Sequence, residues 1–205
     1  RGTGGQRMKI VGVGCGPGMM TALAAREISG ARLVYGSPRA IDLAREFIRP
    51  DAEVHEIKDY RALGKLPPGA VVLSTGDPML AGLGYLPGEV VPGISSLQVA
   101  LARLHIPMQE VSVVVAHGRD HGRALSELHS EVGRGKTVFL IADPGFDVRA
   151  CARGLLDLPG EVTITLCENL GYPEERLESG TRESPPLPGA GLYSLVVRPE
   201  RGNER

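Results

Sequence analysis

The chain has 205 residues, 42% of them hydrophobic, with a formal net charge of −1. That is enough for one large domain or two small ones and excludes a disordered chain, while the near-zero charge provides no field for nucleic acid or a membrane surface. No apolar run reaches the roughly 18 residues of a membrane span, and the widely spaced Cys15, Cys151 and Cys167 form neither a CxxC pair nor a disulfide framework, which fits a reducing cytoplasm.

Met8 reads as a natural start, with residues 1–7 a tag remnant or disordered arm. Lys9 to Val13 reads as a first buried strand. A helix follows from Thr21 to Ile28, with Thr21 at its N-cap and Gly30 just past its end. Arg32 to Tyr35 is a second strand. Ser37-Pro38 then opens a helix to about Ile48, a cap residue followed by proline at the first helical position. Glu53 to Ile57 is a weaker strand. Ala70 to Ser74 is a strong one, a continuous apolar run of the kind found in parallel sheets covered on both faces. Glu89 to Val91 is a short strand, and Ser95 to Leu104 a helix with apolar Leu97, Ala100, Leu101 and Leu104 on one side.

The alternation then restarts: strands at Val111–Ala116, Lys136–Ala142 and Glu161–Cys167, helices at Arg123–Val132 and Asp147–Leu156. Arg176–Gly180 and Leu192–Arg198 read as strands with no helix between them, and hence as an antiparallel pair. Strand–helix alternation in both halves predicts an α/β protein. The expected division is 8–107 and 108–200, two small α/β domains with a ligand cleft between them.

Four glycine-punctuated stretches stand in fixed order: Gly12-Val13-Gly14-Cys15-Gly16-Pro17-Gly18, Gly76-Asp77-Pro78, Pro92-Gly93-Ile94-Ser95-Ser96 and Cys167-Glu168-Asn169-Leu170-Gly171. Such loops bring bare backbone N–H groups up to a ligand. The first is a poor dinucleotide fingerprint. Counted from Gly12, the third glycine of G-x-G-x-x-G is replaced by Pro17, and no carboxylate ends the second strand to hold a ribose hydroxyl. A dinucleotide-dependent oxidoreductase nevertheless stays open as an alternative, as does a non-catalytic nucleotide sensor. Asp77, at a strand end, suits a ligand with a cationic part such as a sulfonium, or simply forms a turn. Ser95 or Ser96 caps a helix and sits where a ligand meets a helix N-terminus. No metal site is expected from the five histidines. With eight aromatic residues and no tryptophan, base stacking is not expected as a main source of affinity.

These motifs in this order resemble the tetrapyrrole methylase family. His117-Gly118-Arg119 and the run Cys167 to Arg176 are similar to the branch that methylates carbon 5 of a reduced, (cobalt-)precorrin-type corrin precursor in cobalamin biosynthesis. The resemblance covers about Lys9 to Arg198. It implies two α/β domains, S-adenosylmethionine as cofactor with S-adenosylhomocysteine as product, a cytoplasmic enzyme and a homodimer. It also implies a separate carbon-15 methyltransferase/decarboxylase as functional partner, with that activity on another polypeptide. It implies neither a nucleic-acid nor a membrane partner. Carried over by motif, Gly14 and Pro17 of the first loop, Thr75, Gly76, Asp77 and Leu80, and Ser95 and Ser96 lie at the cofactor, and Ile141 and Leu170 flank its adenosine. The first loop departs from the family's GxGPG by an added Cys-Gly, and Met19 stands where the family shows Asp.

Methyl transfer from a sulfonium asks chiefly for orientation and desolvation. A base is needed only if a proton must leave the methylated carbon, and Glu168 or His117 is the candidate. The other reading of Glu168 is a strand-end surface carboxylate. The substrate carries many carboxylates, which arginine grips with its two-pronged geometry. Arg119 and His117 are therefore expected at the substrate, and His121 and Arg123 in a solvated loop. Arg39 either reaches a carboxylate or sits on an exposed helical turn. Glu174, Glu175 and Arg176 are expected to form a solvated turn.

Overall fold

Lys9–Gly12 forms β1, flanked in a five-stranded sheet by β4 (Val71–Ser74) and β5 (Glu89–Val91); β2 (Leu33–Gly36) and β3 (Glu53–Glu56) complete the order β3-β2-β4-β1-β5. All pairings are parallel. The computed structural model describes residues 7–189 and 191–200. Residues 1–6 of the expected arm lie outside them, and Arg7 is exposed.

Both faces of this sheet are covered, as continuous apolar strands require. On one face Val11, Val13, Val34 and Leu73 pack with Ala24 and Ile28 of α1 (Ala22–Ser29) and Ala40 and Ala44 of α2 (Pro38–Ala44). On the other Met8, Ile10 and Val72 pack with Ile57, Leu63 and Leu86. Thr21 caps α1 by accepting from the Ala24 N–H at 3.1 Å, and Ser37 caps α2 through the Ala40 N–H at 3.2 Å. α2 is shorter than expected. After Ala44 the chain tightens into a 3-10 turn, Arg45–Phe47, and Ile48 is extended. Pro50 has no N–H with which to continue a helix.

α3 (Ser96–Leu104) follows, and then β6 (Val111–Val115), α4 (His121–Gly133), β7 (Thr137–Ile141), α5 (Val148–Arg153), β8 (Val162–Glu168), β9 (Arg176–Thr181) and β10 (Tyr193–Pro199). The chain divides into two compact units, Arg1–Val99 and Ala100–Arg205. The second sheet has the order β6-β7-β10-β8-β9. The two tail strands are antiparallel to their neighbours but do not pair with each other, contrary to expectation. Instead β10 inserts between β7 and β8, and β9 lies at the edge. Composition explains the exchange. Tyr193–Val197 is buried at every position, whereas β9, Arg-Leu-Glu-Ser-Gly-Thr, is nowhere fully buried. A strand with two apolar faces belongs inside a sheet and a polar one at its rim.

Candidate active site

In the first sheet the connection from β1 runs to one side of the sheet and that from β4 to the other. The order reverses between β1 and β4, and open α/β sheets bind ligands outside the carboxyl ends of the strands at such a point. The loops leaving β1, β4 and β5 there are the first glycine loop, Thr75–Pro78 and Pro92–Ser95.

Backbone contacts lock these three loops together. The Gly14 N–H donates to the Gly76 carbonyl at 3.2 Å and the Gly76 N–H to the Gly14 carbonyl at 2.8 Å. Asp77 bridges to the third loop: its Oδ1 accepts from the Met79 N–H at 2.8 Å and its Oδ2 from the Gly93 N–H at 2.9 Å. No side chain fits at the junction. A Cβ on Gly93 would stand 2.2 Å from the Gly76 carbonyl oxygen, and one on Gly12 would stand 2.7 Å from the Gly93 nitrogen.

Gly14, Gly76, Asp77 and Ser95 are thus brought together, with Thr75 and Pro17 exposed at the rim and Leu80 half-buried. The Ser95 hydroxyl is committed to α3. It donates to Gln98 Oε1 at 2.9 Å and accepts from the Gln98 N–H at 3.2 Å, while the Ser95 N–H donates to the same Oε1 at 2.7 Å. This is a capping box with glutamine in the returning position. Ser96, the first helical residue, is half-buried. The added Cys15-Gly16 of the first loop folds inward, both residues buried, and the Cys15 carbonyl accepts from Arg39 Nη2 at 3.2 Å. Neither reading of Arg39 anticipated this: from the first turn of α2 it holds the loop.

The second sheet gathers its candidates by register. β6, β7 and β8 run the same way, so their carboxyl ends lie together with the start of β10. There the Ile141 carbonyl accepts from both the Ala116 N–H (2.9 Å) and the His117 N–H (3.0 Å). Ser194 stands opposite Ile141, and Tyr193 and Arg176 opposite Glu168. His117 and Arg119 are exposed, and Ile141 is half-buried. Leu170 is buried behind Asn169, a non-glycine residue with φ 50°.

Two expectations for the Cys167–Arg176 motif are corrected. Glu168 is not a surface carboxylate but only 5% exposed. Its Oε2 accepts from Arg176 Nη1 at 2.7 Å and its Oε1 from the Gly189 N–H at 2.6 Å. Nor do Glu175 and Arg176 form a merely solvated turn. Glu175 accepts from Arg103 Nε at 2.6 Å and from the Gly171 N–H at 2.7 Å, fixing the turn that carries Leu170. The Arg103 guanidinium, with help from the Gly171 N–H, holds the Glu175 carboxyl below its ordinary range. A buried carboxylate needs such partners, and here they come both from nearby in the chain, Arg176 and Gly171, and from far along it, Gly189 and Arg103.

The solvated-loop reading of His121 is corrected as well, since its Nε2 lies 3.0 Å from Asp143 Oδ2. Asp143 was missed in the sequence. A signal was present: Asp143-Pro144 follows β7 much as Asp77-Pro78 follows β4. Among the described residues no group of three His, Cys, Asp or Glu gathers that could hold a metal, and no helix is long and apolar enough to cross a membrane.

The profile of the Tetrapyrrole (Corrin/Porphyrin) Methylases matches residues 9–186. The chain belongs to that family. Among members of the tetrapyrrole methylases it is 28% identical, over 187 residues, to a protein of Methanocaldococcus jannaschii named "Probable cobalt-precorrin-7 C(5)-methyltransferase", covering 80% of this chain and 85% of that one. It is also 28% identical over 167 residues to a "Precorrin-6Y C(5,15)-methyltransferase [decarboxylating]" of Sinorhizobium sp, covering 75% of this chain and spanning 40% of that longer relative. The crystal structure of a cobalamin-biosynthesis precorrin-6Y methylase from Archaeoglobus fulgidus superposes with a TM-score of 0.73 at 29% identity, covering 95% of this chain and 99% of that one. A Thermus thermophilus uroporphyrin-III C-methyltransferase, solved with S-adenosylhomocysteine, shares the fold with a TM-score of 0.66 at 23% identity, covering 92% of this chain and 91% of that one.

Proposed function

We propose that this tetrapyrrole methylase transfers a methyl group from S-adenosylmethionine to carbon 5 of a (cobalt-)precorrin in cobalamin biosynthesis. The observation that carries the reading is similarity, along about four-fifths of the chain, to a relative named for that carbon. The residues present suit the cofactor. Three loops meet at the switch point of a parallel sheet, where such sheets bind ligands, and glycine at their junction lets the backbones close on one another and fixes the loops in advance.

The methionine end is assigned to Gly14, Pro17, Thr75, Gly76, Asp77 and Leu80, with Ser95 and Ser96 alongside; Ile141 and Leu170 are assigned to the adenosine. When bound, S-adenosylmethionine supplies a methyl group activated by a sulfonium. The protein's own part is orientation. Asp77, with each oxygen already fixed by a backbone N–H, presents a carboxylate that does not reorganise when a cation arrives. Arg119 and His117, exposed at the carboxyl end of β6, are assigned to the substrate's carboxylates. For removal of a proton from the methylated carbon, His117 is the better placed of the two candidates. Both oxygens of Glu168 are engaged by Arg176 and Gly189, which favours a positioning role. A cytoplasmic homodimer with a carbon-15 methyltransferase/decarboxylase as functional partner completes the reading.

Calorimetric titration with S-adenosylmethionine, S-adenosylhomocysteine and NAD(P)H tests it. Micromolar binding of the adenosyl ligands alone is expected, followed by carbon-5 methylation when a corrin precursor is supplied. Binding of the dinucleotide alone would replace this reading with the oxidoreductase one.

A further inference from the structure

One carboxylate in the second unit has no role assigned above. Asp143, two residues past β7, accepts from three donors. Oδ2 takes the Gly118 N–H at 3.2 Å and His121 Nε2 at 3.0 Å, and Oδ1 takes the Gly145 N–H at 3.0 Å. His121, the first residue of α4, stands edge-on to Phe146 with ring centroids 5.4 Å apart. The Phe146 carbonyl in turn accepts from the hydroxyl of buried Tyr193 at 2.9 Å. The surface turn at 117–120 is thereby tied, through Asp143 and His121, to residues packed in the core of the second unit.

That turn needs a tie. Gly118 has φ +64°, and no heavy atom lies within 4 Å of where its Cβ would be. That side of the turn is open, and hydrogen bonds hold it: His117 N–H to the Ile141 carbonyl at 3.0 Å, Gly118 N–H to Asp143, and Arg119 N–H to the Ala116 carbonyl at 3.1 Å. The residues on either side of Gly118 are exposed His117 and Arg119, and Arg119 makes no ion pair among the described residues. An arginine on a turn fixed in advance loses less conformational freedom when it grips a carboxylate.

Resting on the reading that Arg119 meets a carboxylate of the substrate, we infer that Asp143, braced by His121, is a positioning residue that sets the His117-Gly118-Arg119 turn for tetrapyrrole carboxylates. The held carboxylate is consistent with this. The His121 ring, with the Gly118 and Gly145 N–H groups, keeps the Asp143 carboxyl below its ordinary range, and thus charged as an acceptor.

Fluorescence titration with two stable probes, uroporphyrin (a tetrapyrrole octacarboxylate) and coproporphyrin (a tetracarboxylate), tests the inference. The full chain is compared with Asp143→Ala, Asp143→Asn, Arg119→Gln and the double variant Arg119→Gln/Asp143→Ala, each checked for a cooperative thermal transition. The wild type is expected to prefer the octacarboxylate. Asp143→Ala should weaken uroporphyrin binding about 10-fold and narrow that preference. Asp143→Asn, which keeps one acceptor oxygen, should recover part of the loss. The double variant should bind no more weakly than the weaker single one, because both changes remove the same contact. Wild-type affinity in Asp143→Ala, or full additivity in the double variant, overturns the inference and leaves the tetrapyrrole reading standing. A wild type that binds neither porphyrin overturns that reading, and the inference with it. Should the alanine variants not fold, amide exchange of Gly118 in the wild type decides: protection supports the tie, and free exchange removes it.

Discussion

Asp77 and Asp143 show how a single carboxylate can hold a loop in place. Each lies just past a strand and accepts one backbone N–H from two residues on in its own loop and one from a neighbouring loop. Asp77→Ala strands the Met79 and Gly93 N–H groups, a cost of about 1.5–3 kcal/mol for bonds to a charged acceptor. S-adenosylhomocysteine affinity should fall at least ~10-fold, Asp77→Asn losing less; unchanged calorimetric binding in Asp77→Ala would remove Asp77 from the cofactor site. The thiols behave in the opposite way. Burial pushes Cys151 and Cys167 up to about 12. Neither should react with a thiol reagent at pH 8 until denaturant is added, and rapid modification of either thiol in the native protein would contradict this. At this scale the positions of the loops in the first unit were legible because glycine and Asp-Pro punctuate a chain strongly. Glu168, Glu175 and His121 were misread because their partners Gly189, Arg103 and Asp143 lie 21, 72 and 22 residues away, beyond any local pattern.

Elements were legible where a period or a cap marked them. Thr21, Ser37 and Ser95 each announce the helix that they cap. Pairing was not, since an antiparallel strand is compatible with any neighbour of suitable polarity. The placement of β10 could have been read from its largely apolar Tyr-Ser-Leu-Val-Val stretch, but the choice of β7 and β8 as its neighbours rests on the whole sheet. The end of α5 was equally silent in the sequence. Arg182, beyond β9, donates through Nη1 to the Leu155 and Leu158 carbonyls at 3.0 and 2.7 Å and through Nη2 to the Gly160 carbonyl at 2.6 Å. It thus ties down carbonyls past the last turn of α5, of which that of Leu155 also accepts from the Leu158 N–H at 3.2 Å. Arg182→Ala should lower stability by about 2–3 kcal/mol. Urea unfolding measures it, and a loss under about 0.5 kcal/mol, the size of an ordinary surface change, would refute the assignment.

For the whole molecule, held carboxylates set the acid limit. Asp143 and Glu175 are both lowered from ordinary values of 3.8 and 4.5 by their partners, His121 and Arg103 first. A carboxyl lowered by folding contributes stability that is complete above its ordinary value and lost as the pH falls from there toward the folded-state one. The urea midpoint should therefore hold on going from pH 7 to about 5.5 and drop below about 4.5. Arg103→Ala should shallow that drop, and an acid limb of unchanged slope would show that Glu175 does not contribute to it. The position of β10 also bears on how the protein is made. The strands of the first sheet all lie within Lys9–Val91, so that sheet has every strand it needs while the rest of the chain is still on the ribosome. The second sheet is missing its middle until Tyr193–Pro199 has left the exit tunnel, and until then β7 and β8 each present a bare edge. Nascent chains stalled before residue 193 should resist protease over the first sheet and remain open to chaperones over the second.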